Sequence, residues 1–184
     1  MYSWALIAGD AAETIDASRF RQALSAFPTG VCLVTTVSDR GKPEGMTINS
    51  FASVSLDPPL ILWSIRDAAR SADVFLAARS FNLSVLACDQ QALASHFATP
   101  APDKFERYAE QFEVGANRCP RLKDSAATFE CSLYTRHQEG DHTILLGRVE
   151  RFARGDRTPL LFHSGQMGSL WELADTLARP GDAA

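Results

Sequence analysis

The sequence predicts a mainly β protein, an antiparallel barrel with short peripheral helices. Three observations carry this reading. About seven runs of strand length are either apolar throughout or alternate cleanly. Turn-forming clusters join neighbouring runs as hairpins. No regular βαβα alternation appears, which disfavours a doubly wound parallel sheet.

The elements follow in order. Phe20, Ala23, Leu24 and Phe27 recur at i, i+3, i+4 and i+7, so a helix is predicted over 18–27, with Asp16 or Ser18 as N-cap and Pro28 and Gly30 as its stop. Val31 to Val37 is β-branched and apolar on both faces, a buried strand. Ser38-Asp39-Arg40-Gly41 turns the chain into a second strand near Gly45 to Ser50, and Asp57-Pro58-Pro59 breaks it before a strand over Leu60 to Ile65. Ala69 to Ala78 reads as helix. Phe81, Leu83, Val85 and Ala87 alternate with Asn82 and Ser84, a strand with one apolar and one polar face. Gln90 to Phe97 suits a short helix, and Pro100 with Pro102 marks a loop. Ala127, Phe129, Cys131 and Leu133 alternate with Thr128, Glu130, Ser132 and Tyr134, a half-buried strand. It turns at Glu139-Gly140-Asp141 into a return strand from His142 to Phe152. Leu160 to His163 is a last strand, and Leu170 to Leu177 a closing helix.

At 184 residues the chain has the length of one domain, and a core burying about 70% of the unfolded surface is within reach. Hydrophobic residues at 46% and charged ones at 22% exclude a disordered or collagen-like chain. A net charge of −4 argues against a broad nucleic-acid surface, though not against a local anion pocket. Cys32, Cys88, Cys119 and Cys131 lie far apart with no CxxC pair, so they read as free thiols of a reducing compartment, and no zinc site is expected. The apolar patch from Tyr2 to Ala8 has no basic residue before it and stops at Asp10, which fits neither a signal peptide nor a membrane span. A cytoplasmic protein is expected, with an extension over 1–17, one domain over 18–171 and a tail over 172–184.

Several familiar sites are missing from the sequence: no G-x-G-x-x-G, no P-loop and no G-x-S-x-G elbow. The densest polar run is Thr47-Ile48-Asn49-Ser50-Phe51-Ala52-Ser53-Val54-Ser55. Its hydroxyls, its amide and nearby backbone N–H groups can together hold a phosphate or the polar edge of a heterocycle without formal charge. The competing reading is a Ser/Thr-rich loop that caps its own backbone, and composition alone favours it.

Phe27-Pro28-Thr29-Gly30-Val31, Val34-Thr35-Thr36 and the run from Gly45 to Leu60 with its Ser-Phe-x-Ser-Val-Ser-Leu-Asp-Pro-Pro core resemble the short-chain flavin reductase family. These are the reductase components of two-component flavin-dependent monooxygenases, with an FMN-binding split-barrel fold. Phe81-Asn82-Leu83-Ser84-Val85-Leu86, His96-Phe97, Glu130-Cys131, Gly140-Asp141-His142, Gly147-Arg148-Val149 and Pro159-Leu160-Leu161-Phe162-His163 extend the likeness over residues 18–171.

The resemblance implies FMN or FAD in a groove at a homodimer interface, reduced by NADH or NADPH, and a separate oxygenase that takes the reduced flavin. Carried over by position, Thr47, Asn49 and Ser50 contact the ring and ribityl chain, with Ile48 in the same stretch. Ser53, Val54 and Ser55 lie along the ribityl–phosphate end. Ser71, Gln90 and Lys104 are further phosphate candidates, Phe97 packs nearby, and His142 sits beside the ring near the nicotinamide. Hydride transfer asks for stacking, alignment and a polar edge rather than a nucleophile or metal, which suits this chain. Relatives carry an aromatic residue where this chain has Met167, which bears on nicotinamide preference.

Plainer readings stand beside these. A turn histidine such as His142 is ordinarily exposed or backbone-bonded, and His96 and His163 read as structural. Phe97, Trp63 and Trp171 read as core. Lys104 sits in Asp103-Lys104-Phe105-Glu106-Arg107, a mixed-charge helix face. A flavin-binding sensor or carrier without turnover is the alternative function, as is an oxidase like the pyridoxamine-phosphate oxidases. The latter would need an Arg/Lys cluster that the sequence does not place beside the serine run.

Overall fold

The computed structural model describes residues 15–101 and 103–172. Helix α1 (Ala17–Leu24) opens on Asp16, whose carboxylate accepts from the Ser18 and Arg19 amides at 2.8 and 3.3 Å. Its apolar stripe is present but uncovered: Phe20, Leu24 and Phe27 are 54%, 59% and 75% exposed. The chain continues through β1 (Thr29–Gly30), β2 (Cys32–Val37), β3 (Pro43–Ile48), β4 (Ala52–Leu56), β5 (Pro59–Arg66), α2 (Ala72–Ala77) and β6 (Ser80–Val85). A 3₁₀ turn at Cys88–Gln90 leads into α3 (Gln91–Ala98), and a second at Glu106–Gln111 precedes β7 (Phe112–Val114) and β8 (Pro120–Leu122). The long pair β9 (Ala127–Glu139) and β10 (His142–Arg154) turns on Gly140, at φ +61°, and β11 (Leu161–His163) and β12 (Gln166–Gly168) follow.

Seven strands form one antiparallel sheet in the order β3-β2-β6-β9-β10-β5-β4, and two smaller sheets are β1-β11-β12 and β7-β8. The fold is thus mainly β with a few short helices. The large sheet is open rather than closed by hydrogen bonds, because β3 and β4 are its two edges. Only residues 49–51 join those edges. Laid flat, six strand spacings of about 4.8 Å would part them by about 29 Å. The chain from Ile48 to Ala52 can span about 14 Å. The sheet must therefore curl until its edges approach at this corner.

The concave side holds Ile48, Ile61, Trp63, Ile65, Phe81 and Leu145, with Phe75 of α2 against Trp63 at a ring separation of 5.2 Å. A second cluster lies across β2, where Leu33, Leu93, Phe97, Leu122 and Leu160 pack with Phe105, Tyr108 and Phe112. Sheet surfaces covered on both sides explain why β2 reads as apolar throughout.

Several expectations change here. The polar side of β6 is not solvent-facing: Asn82 is buried and donates to the Cys119 and Pro120 carbonyls at 3.0 and 3.1 Å. Glu130 is likewise buried, accepting from the Ala116 amide at 3.0 Å and facing Arg121 at 3.3 Å. The strand expected near 45–50 ends at Ile48, and β1, β4, β7, β8 and β12 are additional short strands. Trp171 is 75% exposed, not core. The closing helix begins at Leu170, and its continuation to Leu177, like the Tyr2–Ala8 patch and Pro102, lies outside the described residues.

Cys32, Cys119 and Cys131 are buried, Cys88 is half-buried, and all four are free thiols. Burial pushes the Cys32 thiol up to about 12, and burial with the Glu150 and Glu130 charges does the same for Cys131, so neither supplies a thiolate. Among the described residues no helix is long and apolar enough to cross a membrane, and no His/Cys/Asp/Glu cluster could hold a metal ion.

Candidate functional site

The polar run divides into residues with different tasks. Thr47 on β3 donates its hydroxyl to the Ala94 carbonyl of α3 at 2.7 Å. Ile48 is 7% exposed and its side chain belongs to the core, so only its backbone can meet a ligand. Ser50 Oγ bonds both backbone groups of Ser64 on β5, at 3.0 and 3.2 Å. Ser55 accepts from the Asp57 amide at 3.2 Å, the self-capping that composition favours. Asn49 and Ser53 are different: both are exposed, and their side chains bond no protein group among the described residues. Val54, 45% exposed, is the extra residue of a bulge in the β4–β5 ladder.

Pairing gathers further groups on the outward face beside this corner. Ile61, Trp63 and Ile65 of β5 point inward, so Leu62, Ser64 and Arg66 point outward. Across the ladder Ile144 faces Ser64 and His142 faces Arg66. His142 is half-exposed, with its Nδ1 2.7 Å from Asp141 Oδ1. That hydrogen bond, then the histidine's charge, holds the Asp141 carboxyl below its ordinary range. Ser71 is 8% exposed and donates its hydroxyl to the Met46 sulfur at 3.9 Å, tying the start of α2 to β3.

Other expected contacts serve the fold. Phe97 is fully buried beneath Gly45, where a methyl group would come within 2.9 Å of its ring. Lys104 lies on no helix: its ammonium donates to the Gly45 and Phe97 carbonyls, each at 3.1 Å. Burial holds this ammonium below its ordinary range, and the nearby Arg70 charge acts in the same direction. Gln90 accepts from the Ala87 amide at 2.9 Å and reaches the Lys123 and Asp124 carbonyls at 3.5 and 3.4 Å. It belongs to a separate polar cleft, where Arg157 pairs with Asp89 and Lys123 donates to the Glu110 carbonyl. Both cations of that cleft are thus already engaged, Arg157 by a carboxylate and Lys123 by a backbone carbonyl.

The structure therefore brings Asn49, Ser50, Ser53 and His142 to one region, sets Ser71 against Met46 on the core side at the start of α2, and leaves Gln90 in another. Ser64 and Arg66 are the members that sequence reading missed. Their signal is faint, a serine inside an apolar strand and an arginine after it, because their neighbours, Ser50 and His142, come from the 49–51 corner and from β10.

The corner's fit to a flavin is a matter of donor chemistry. A free amide, a free hydroxyl and short backbone suit the carbonyl and nitrogen edge of a heterocycle or a ribityl chain. The exposed guanidinium of Arg66 suits a phosphate.

Residues 24–170 match the family model described as flavin reductase like domain. An FMN reductase (NADH) of Agrobacterium fabrum is 43% identical over 81% of this chain and 83% of its own length. The chain spans only 45% and 60% of two longer relatives from Rhizobium meliloti. The flavin reductase component of a bacterial two-component tryptophan halogenase superposes with a TM-score of 0.77 at 41% identity, covering 84% of this chain and 98% of that one. An NADH:FAD oxidoreductase of Streptomyces globisporus, solved with NAD and FAD fragments, gives 0.80 at 32% identity, covering 95% of this chain and all of that one.

Proposed function

This chain belongs to the flavin reductase like domain family, and from that membership we propose that it uses NADH, or NADPH, to reduce free or loosely bound FMN or FAD. The reduced flavin then passes to a separate monooxygenase component. One observation carries the reading: Asn49 and Ser53 offer unspent polar groups at the single corner where the sheet's edges approach, beside the outward-facing His142 and Arg66. Bound flavin would supply the two-electron acceptor for the nicotinamide's hydride.

The residues' tasks follow from their partners. Asn49 and Ser53 bind and orient the polar edge. Thr47 and Ser50, already bonded to α3 and β5, fix the backbone that carries Asn49. Val54 offers apolar surface, and Arg66 offers charge to the phosphate. The Asp141 carboxylate takes the Nδ1 side of His142, leaving Nε2 for the nicotinamide carboxamide. Asn49 and Ser53 meet the ligand's polar edge by neutral contacts, which leaves Arg66 as the charged contact, at the phosphate.

We further read the curled sheet, open between β3 and β4, as a split barrel with residues 18–171 as its unit. The uncovered Phe20, Leu24 and Phe27 support a homodimer. Four unpaired cysteines support a cytoplasmic setting.

The test is a steady-state matrix of FMN and FAD against NADH and NADPH. Turnover well above background with at least one pair is expected. A protein that binds flavin tightly yet fails to turn over with any pair would be a carrier, not a reductase.

A further inference from the structure

The β4–β5 ladder pairs Ala52 with Leu62, so its next like-facing position sets Ser50 opposite Ser64. No backbone pairing occurs there, because the chain has already turned away toward β3. The Ser50 side chain fills the rung instead. Its Oγ accepts from the Ser64 N–H at 3.0 Å and donates to the Ser64 C=O at 3.2 Å. A hydroxyl carries one donor proton, so this leaves a ligand nothing to accept from Ser50. Both Ser64 groups are part-buried, and on that side they have no other partner among the described residues.

Only 49–51 join the two sheet edges. Thr47, bonded to Ala94, anchors one end of this corner, and Ser50, bonded to β5, anchors the other. Asn49 lies between the two anchors.

We infer that Ser50 is a positioning residue of the flavin site: its hydroxyl stands in for a strand rung, clamps the corner to β5 and thereby presents Asn49, its one donor proton going to β5 and not to the flavin. This rests on the flavin reading given above. It reassigns Ser50 from ligand contact to scaffold.

The experiment compares wild type, Ser50→Ala and Ser50→Thr. Amide hydrogen exchange at Ser64 is read by NMR on flavin-free protein, and FMN affinity by fluorescence titration. Ser50→Ala should speed Ser64 exchange about tenfold or more and weaken FMN about tenfold, the scale of one lost backbone partner. Ser50→Thr, which keeps the hydroxyl, should restore both to within about threefold.

Unchanged Ser64 exchange in Ser50→Ala overturns the proposal. So does FMN affinity that falls while Ser64 stays protected, since Ser50 would then touch the flavin directly. If Ser50→Ala does not fold, Ser50→Thr decides: Ser64 protected but FMN lost is again contradictory. A wild-type protein that binds neither FMN nor FAD refutes the flavin reading and the positioning role with it, while the exchange rates still decide whether the rung exists.

Discussion

His142 stands directly across the β10–β5 ladder from Arg66, on the outward face of the sheet. The imidazole is held from one side by Asp141, at 2.7 Å, so its far nitrogen is aimed rather than free to rotate. In the proposed reaction this geometry orients the nicotinamide and moves no proton at the reacting carbon. His142→Ala is therefore expected to lower kcat/KM for NADH by about tenfold, with FMN affinity changed less than about threefold. Steady-state kinetics beside a fluorescence titration separates the two effects.

The same pair predicts a titration. Asp141's folded carboxyl lies below its ordinary 3.8, chiefly through the His142 hydrogen bond. The interaction is thus intact above the ordinary aspartate range and is lost as pH falls through the folded value. NMR of the carboxyl should show a midpoint below 3.8 in wild type and a return upward in His142→Ala.

Asn49→Ala and Ser53→Ala should each weaken FMN by about tenfold, the value of one ligand hydrogen bond of about 1.4 kcal/mol. Both side chains are exposed and bond nothing in the protein, so the melting temperature should move little. Calorimetric titration and thermal unfolding check the two halves. Equal affinity in both variants would remove these residues from the site.

Lys104 predicts the converse pattern. Its ammonium joins the 103–105 turn to β3 through the Gly45 carbonyl and to α3 through the Phe97 carbonyl. Lys104→Met should cost about 1–3 kcal/mol in urea unfolding by leaving those carbonyls unpaired. FMN affinity should stay within about threefold of wild type, because this ammonium is already engaged.

What could be read in advance follows the range of the interactions. Val31–Val37 declares itself because both its faces are covered, and the Gly140 hairpin because its turn is local. Ala52–Leu56 hides as a strand: it is an exposed edge, and the bulge at Val54 breaks its period of two. Asn82 looks solvent-facing because its partners, Cys119 and Pro120, are 37 and 38 residues away. The polar run itself was legible as a candidate. Its division into scaffold (Thr47, Ser50, Ser55) and free groups (Asn49, Ser53) was not, since Ala94 and Ser64 are set by the fold. Trp171 shows the opposite failure, an aromatic whose type suggests core and whose position is exposed.

The central claim is that a flavin is gripped at the corner between β3 and β4, and a crystal structure of the protein with FMN tests it most directly. The account predicts the flavin's polar groups within hydrogen-bond distance of Asn49 and Ser53, with His142 beside the ring. FMN seated instead in the cleft of Asp89 and Arg157, with Asn49 and Ser53 untouched, would contradict it.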